Sequence, residues 1–117
     1  MGECGFPKTR RLLTAADFDR AFKQAKWRAS SNSMLVLGAA NELEHDRIGF
    51  VIARKNVRSA VQRNRIKRVI REVFRKHTGL SLPADMVVIA RKGLDRLDNQ
   101  EICDTFAKLV TQLQRNR

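Results

Sequence analysis

Residues 54–76 constrain the fold of this 117-residue chain more than any other part of the sequence. The segment carries ten Lys or Arg residues and one acid, Glu72. Its apolar residues recur at a spacing of three and four, as on one face of an α-helix: Ile66, Val69, Ile70, Val73 and Phe74. The segment is therefore predicted to form a helix that begins near Ala60 after a basic loop and ends at Thr78-Gly79. One face would pack on a core and the opposite face would be basic.

Periodicity and end signals predict the other elements. A first helix is expected over about residues 15–25, with Thr14 as its N-cap. Residues 26–33 are predicted to be a polar connection. Strands are expected over 34–40, 47–54 and 85–91, and a last helix over about 100–114. Because only a short acidic loop separates the first two strands, they are expected to form an antiparallel hairpin.

These elements follow in the order α-β-β-α-β-α, with one helix between two strands that share a sheet. The predicted fold class is therefore α+β, a single-domain α-β sandwich. With 43% hydrophobic residues and no internal linker, residues 1–117 are expected to form one domain with flexible ends at about 1–8 and 114–117. The two cysteines are too few for a disulfide framework and favour a reduced, cytoplasmic setting.

The charge balance indicates a polyanionic partner. The formal net charge is +12 and the sequence pI is about 11.1. A nucleic acid is the favoured partner and an anionic membrane surface the weaker one, and no apolar run has the length of a membrane span. A basic face that is merely solvated is the alternative for the long helix, although solvated helices usually mix charges of both signs.

Catalytic side chains are not evident in the sequence. A protein-only metal nuclease would need clustered carboxylates at the scissile phosphate, and the acids here are scattered. The loop acids Glu42, Glu44 and Asp46 could attract Mg²⁺ weakly, but a solvated loop is the simpler interpretation. His45 and His77 are isolated and lack metal-ligand spacing. No protein metal site and no catalytic residue are therefore predicted.

A family resemblance enters at residues 63–68. The run RNRIKR, continued by VIREVFR, closely resembles the RNR signature of the bacterial ribonuclease P protein subunit. The surrounding pieces follow the family's order: Arg11-Leu12, Asp17-Phe18 with Phe22, Arg47-Ile48-Gly49, and DMVVIARK at 85–92. The resemblance covers about residues 11–113. One departure is the loop at 54–60, which lacks the glycine of the family's Lys-Lys-x-Gly-x-Ala stretch and looks one residue longer, so the resemblance does not define its path.

The resemblance implies a protein that assists an RNA enzyme. In this family a large RNA uses Mg²⁺ and removes the 5′ leader of precursor tRNA. The protein subunit binds that RNA, one protein per RNA, and binds the leader, which raises and broadens substrate affinity. The implied ribonucleoprotein is an endoribonuclease whose catalysis lies in the RNA. The implied fold has a left-handed β-α-β crossover, as in the second domain of a small-subunit ribosomal protein, and periodicity alone would not indicate that handedness.

The resemblance also assigns residues to two surfaces. The contacts to the catalytic RNA are carried onto Lys55, Arg63, Asn64, Arg65, Lys67, Arg68 and Arg71. The leader-binding cleft, between the first helix and the sheet, is carried onto Phe18, Phe22, Met34 and Val36. Ordinary core packing is the alternative for the two phenylalanines, and Trp27 could stack on a base or be partly buried. A ribosomal or general nucleic-acid-binding protein remains the competing function.

Overall fold

The computed structural model describes residues 15–40, 47–76 and 84–115. Three α-helices and a four-stranded sheet occur within them, in the order α1 (Ala15–Gln24), β1 (Trp27–Ser30), β2 (Met34–Ala40), β3 (Arg47–Val51), α2 (Ala60–Lys76), β4 (Ala84–Ala90) and α3 (Asn99–Arg115). A short 3₁₀ helix, Leu94–Arg96, precedes α3. The α+β class and the positions of all three helices are confirmed. The predictions for Thr14, the loop at 41–46, Thr78-Gly79 and the ends at 1–8 and 116–117 fall outside the described residues.

The sheet has the strand order β1-β2-β4-β3, which corrects two predictions. Trp27–Ser30 is a strand rather than a polar connection, and it pairs antiparallel with β2. A strand of four residues is too short for an alternation of apolar and polar residues to be recognised in the sequence. The hairpin expected between β2 and β3 is wrong, because β4 lies between them. The apolar run of β4 fits its central place in the sheet, where it has a neighbouring strand on each edge. The order of the strands along the sequence does not show that β4 lies between β2 and β3.

The segment β3-α2-β4 forms a parallel crossover unit. β3 pairs in parallel with β4, from Arg47 opposite Asp85 to Val51 opposite Ile89. β2 pairs antiparallel with the other edge of β4 along its whole length. Helix α2 joins the two parallel strands, so its orientation is set at both ends by the sheet. This unit places the basic helix beside the sheet.

The two faces of the sheet carry different helices. The main core lies under α2 and α3, where alternate strand residues meet helical residues with almost no exposed surface: Met34, Val36, Ile48, Met86, Val88, Ile66, Ile70, Phe74, Ile102 and Phe106. On the other face, Ala21 of α1 packs on Val87, with Phe18, Leu37 and Ile89 partly buried around them. Since successive side chains of a strand point to opposite faces of the sheet, neighbouring residues of one strand contact different helices.

Candidate nucleic-acid interface

Helix α2 separates apolar and basic side chains. Ile66, Ile70 and Phe74 are buried in the core, whereas Asn64 and Arg68 are exposed to solvent. The helix's one acid, Glu72, forms ion pairs with the neighbouring bases of the last turn, Arg75 and Lys76. The hydrogen bond from Arg75, followed by the charges of both bases, lowers the pKa of Glu72. Glu72 therefore forms its ion pairs at the C-terminal end of the helix, away from Asn64 and Arg68.

The loop before α2 is closely tied to the fold. The carbonyl of Ala53 accepts hydrogen bonds from the backbone N–H groups of Asn56 and Val57, each at 3.0 Å. The side chain of Asn56 donates from Nδ2 to the carbonyl of Ala90, at 3.0 Å. Val57, which does not fit the apolar face of the helix, is fully buried in the core. The loop thus has a defined path, and its cations Arg54, Lys55 and Arg58 are exposed around a buried valine.

Arg63 stabilises the junction between this loop and the helix. Its Nη1 donates to the carbonyls of Val57 and Arg58, at 3.1 and 3.0 Å. Ser59 caps the helix, since its Oγ accepts from the N–H of Gln62 at 3.3 Å. Arg63 is half-buried. The first arginine of the RNR run therefore shapes the loop, although it also adds charge to the site.

Arg65 donates hydrogen bonds to four acceptors. Its Nε donates to Oε1 of Gln62 and its Nη1 to Oδ1 of Asn99, both at 2.7 Å. Its Nη2 donates to the carbonyls of Asp95, at 3.3 Å, and Leu97, at 3.1 Å. The side chain therefore joins α2 to the start of α3. Nothing in the sequence shows this, because the partner segment lies about thirty residues away and its acceptors are mostly backbone.

The remaining predicted contacts differ in exposure. Lys55, Asn64 and Arg68 are exposed and Lys67 is half-buried. Arg71 is half-buried and its guanidinium lies 5.3 Å from the centre of the Phe50 ring, a cation-π distance. All seven residues thus lie on α2 or its preceding loop. We define the basic surface as four of these residues, Lys55, Asn64, Lys67 and Arg68, together with the exposed Arg58 of the same loop.

The predicted leader cleft is only partly compatible with the structure. Phe22 is 43% exposed and Phe18 half-buried, so both lie at the edge of α1 where it covers the sheet. Met34 and Val36 are 0% exposed and belong to the opposite, core-facing side. Their placement in the cleft is therefore corrected, because a shift of one residue along a strand changes the face. The β2 residues on the α1 side are Leu35 and Leu37, both half-buried.

Trp27 belongs to the core side of β1. It is half-buried, packs against the main core and pairs with Gly38. A Cβ at Gly38 would lie 3.3 Å from Trp27 Cε3, so the absence of a side chain there makes room for the indole. Of the two interpretations of Trp27, partial burial describes its position.

A buried ion pair joins β3 to β4 and also approaches α1. Arg47 donates to the Asp85 carboxylate from Nε at 2.8 Å and from Nη2 at 2.7 Å. Nη1 of Arg47 lies 3.5 Å from Oδ1 of Asp17 on α1. Asp85 is 3% exposed, and its hydrogen bonds raise the pKa of Arg47. The sequence pattern predicts strands at Arg47 and Asp85 but does not show that the parallel register brings the two residues together.

The described segments contain neither a candidate metal cluster nor a candidate membrane-spanning helix. Neither the helices nor the strands there bring three His, Cys, Asp or Glu side chains together in a way that could hold a metal ion. No helix in these segments is long and apolar enough to cross a bilayer.

Comparisons with known proteins agree with this arrangement. The family model described as Ribonuclease P matches residues 6–114. The ribonuclease P protein component of Proteus mirabilis is 49% identical over 110 residues, which cover 93% of this chain and 91% of that protein. The component of Stutzerimonas stutzeri is 46% identical, over 96% of this chain and 86% of that protein.

Solved structures show the same architecture. The RNase P protein of Staphylococcus aureus is similar at a TM-score of 0.80 and 31% identity, over 89% of this chain and 94% of that one. The protein from Thermotoga maritima is similar at a TM-score of 0.73 and 34% identity, over 90% and 96% of the two chains. Sequence, fold and the position of the basic helix thus lead to one conclusion: the chain belongs to the ribonuclease P protein family.

Proposed function

We propose that this chain binds the catalytic RNA of ribonuclease P through its basic surface and holds the 5′ leader of precursor tRNA beside α1. Family membership supports the coarser part of this statement, that the chain is the protein component of a tRNA-processing ribonucleoprotein endoribonuclease. The finer part, which surface binds which RNA, rests on the exposure and charge of the side chains.

The observation that carries the proposal is a cationic surface on a rigid support. Lys55, Arg58 and Arg68 are exposed. Arg68 lies on a helix held by fully buried side chains such as Ile66 and Ile70, and the two loop cations lie beside the fully buried Val57. A phosphate backbone that docks on such a surface releases condensed counterions, and this release drives binding. A rigid helix also loses little conformational entropy when it binds. The basic surface therefore suits a structured RNA.

The side of the sheet next to α1 suits a single strand. Phe22 of α1 is 43% exposed and Val51 is 37% exposed. Leu35 and Ile89, which pair across β2 and β4, are half-buried. Bases of a single strand stack on aromatic rings and contact apolar side chains with little sequence preference. The cleft proposed for the leader is therefore formed by Phe18, Phe22, Leu35, Leu37 and Ile89.

Catalysis is assigned to the RNA in this proposal. The metal chemistry needed to cleave a phosphodiester would be supplied by Mg²⁺ held by the RNA. The protein's part is to bind and orient, one protein per RNA, in the cytoplasm. Neutralising the RNA's phosphates near the leader would also favour retention of its Mg²⁺ ions.

The test is cleavage of precursor tRNA at physiological Mg²⁺ by a bacterial ribonuclease P RNA, by this protein and by both together. Strong stimulation that requires both components is expected. Cleavage by RNA-free protein would make the chain a nuclease itself. Equal binding to the ribonuclease P RNA, an unrelated structured RNA and duplex DNA, without stimulation, would make it a general nucleic-acid-binding protein.

Within that assay, Arg68→Ala tests the basic surface. Arg68 is exposed, so its removal should leave the fold intact. The slope of log K against log salt should become shallower by about 0.7–0.9 if the side chain contacts one phosphate. An unchanged slope would exclude a phosphate contact at this position.

A further inference from the structure

We propose that Lys92 and Arg96 extend the RNA-binding surface beyond α2, and that Arg65 is the residue that positions them. This inference rests on the proposed function of the basic surface. It assigns a binding role to two residues outside the RNR helix and changes the expected role of Arg65 from an RNA contact to a positioning residue.

The segment between β4 and α3 is short and compact. Gly93 adopts a left-handed conformation, with φ 99°, that L side chains rarely adopt. The chain then enters the 3₁₀ helix Leu94–Arg96, in which Leu94 is fully buried. The backbone N–H of Leu97 donates to the carbonyl of Leu94 at 3.2 Å. This turn holds Lys92 and Arg96 on either side of a buried leucine, and both are exposed.

Arg65 holds this turn against α2. Of its five guanidinium N–H donors, one bonds Gln62 on its own helix and three bond Asn99, Asp95 and Leu97 of the adjoining segment. A phosphate at Arg65 would have to displace bonds that join two parts of the fold. The acceptors are amide and carbonyl oxygens rather than carboxylates, so the positive charge remains while the donors are occupied.

A second contact holds the start of the same segment. The Asn56 side chain in the basic loop donates to the carbonyl of Ala90, two residues before Lys92. The neighbouring base, Arg91, turns away, since its Nη1 donates to the carbonyl of Ser31 at 2.8 Å. Lys92 therefore follows by two residues the carbonyl that Asn56 of the basic loop binds.

Two acids near this turn cap α3. Asp98 accepts from the N–H of Glu101 at 2.8 Å, and Glu101 accepts from the N–H of Asp98 at 3.0 Å, which is a reciprocal capping box of α3. Asp95 is half-buried. No ion pair of Lys92 or Arg96 is found within the described segments. Both cations are thus available to phosphates that follow the basic surface past the end of α2.

The test measures binding of the ribonuclease P RNA to the full chain across a salt series. Lys92→Gln and Arg96→Gln are each expected to reduce the salt slope by about 0.7–0.9, the effect of one lost phosphate contact. Arg65→Lys keeps the charge but lacks the planar fork, so the slope should fall although no charge is lost. Arg68→Lys is the matched control, because an exposed point charge should leave the slope unchanged.

A double-mutant comparison separates positioning from direct contact. In a Lys92→Gln/Arg96→Gln background, Arg65→Lys should weaken binding less than twofold further, since the residues it positions are already gone. Full additivity would make Arg65 a direct contact and overturn its positioning role. Unchanged salt slopes for Lys92→Gln and Arg96→Gln would overturn the extended surface.

Two further results keep the test decisive. If Arg65→Lys fails to fold by circular dichroism, Asn99→Ala removes one of its acceptors instead and should also reduce the slope; an unchanged slope overturns the inference. If Arg68→Ala also binds with the wild-type slope, the proposed function of α2 has failed. Failure confined to Lys92, Arg96 and Arg65 rejects only this inference.

Discussion

Replacing Arg47 by methionine should destabilise the protein strongly, because it leaves a buried carboxylate without its main partner. The side chain of Arg47 is 14% exposed and that of Asp85 4% exposed, so the pair belongs to the buried class. Removing one partner of such a pair typically costs about 3–5 kcal/mol. For a chain of this length that corresponds to a fall in melting temperature of roughly 12–20 °C.

A double-mutant cycle measures the pair itself. Asp85→Leu should cost less than Arg47→Met, because Arg47 keeps Asp17 at 3.5 Å. The double variant Arg47→Met/Asp85→Leu should recover most of the loss, since an apolar pair of similar volume can replace a buried ion pair. Chemical denaturation and thermal melting would give the free energies of unfolding.

The exposed pair Lys23–Asp19 provides the matched control. Its side chains are 75% and 64% exposed, so Lys23→Met should change stability by about 0–1 kcal/mol. A loss below about 1 kcal/mol for Arg47→Met, or additive losses in the cycle, would refute the argument that a buried carboxylate needs this arginine.

The pH dependence of the pair follows from the raised pKa of Arg47. A group whose folded pKa is raised contributes stability below its unfolded pKa and loses it as pH rises through the folded pKa. For an arginine, the pH range in which this stability is lost lies above the pH range of ordinary stability measurements. Stability should therefore not fall between pH 7 and pH 10 on account of this pair, and a loss over that range that Arg47→Met abolishes would contradict the assignment.

Three further predictions concern single side chains. Phe22→Ala should weaken binding of precursor tRNA about fivefold, the low end of base stacking, with little effect on mature tRNA; equal losses in a binding assay would remove Phe22 from the cleft. Val57→Ala should lower the free energy of unfolding by about 1.5–3 kcal/mol, because Val57 is fully buried, and a change below 0.5 kcal/mol by denaturant titration would contradict its place in the core. Gly93→Ala should lower it by about 1–2 kcal/mol through backbone strain alone, since no atom lies within 4 Å of the added Cβ; wild-type stability would show that the turn relaxes.

Local pattern was sufficient for the helices. The spacing of Ile66, Ile70 and Phe74 predicts both the extent of α2 and its buried face, because an amphipathic helix encodes its orientation in its own residues. The seven cations and polar residues assigned to the RNA follow from the same segment and from its resemblance to a family. Their gathering on α2 and the preceding loop therefore needed little tertiary information.

The order of the strands in the sheet and the face to which each strand residue points are harder to predict from the sequence than the helices. The sequence pattern does not indicate the four residues of β1 as a strand. The expectation that Met34 and Val36 line the cleft beside α1 is wrong, because both are fully buried in the core on the opposite face of the sheet. Sheet order depends on pairing between distant residues, and the face of a strand changes with a shift of one position. Neither is encoded in the strand's own composition.

The sequence by itself determined the helical elements, the density of positive charge and the family. Only the tertiary structure decided how individual basic residues are used. Arg65 and Arg68 are three residues apart on one helix, yet Arg65 donates to four acceptors and Arg68 is exposed. The physical reason is that a side chain's hydrogen-bond partners depend on which distant segment packs beside it. That packing is a property of the whole fold and not of the local sequence.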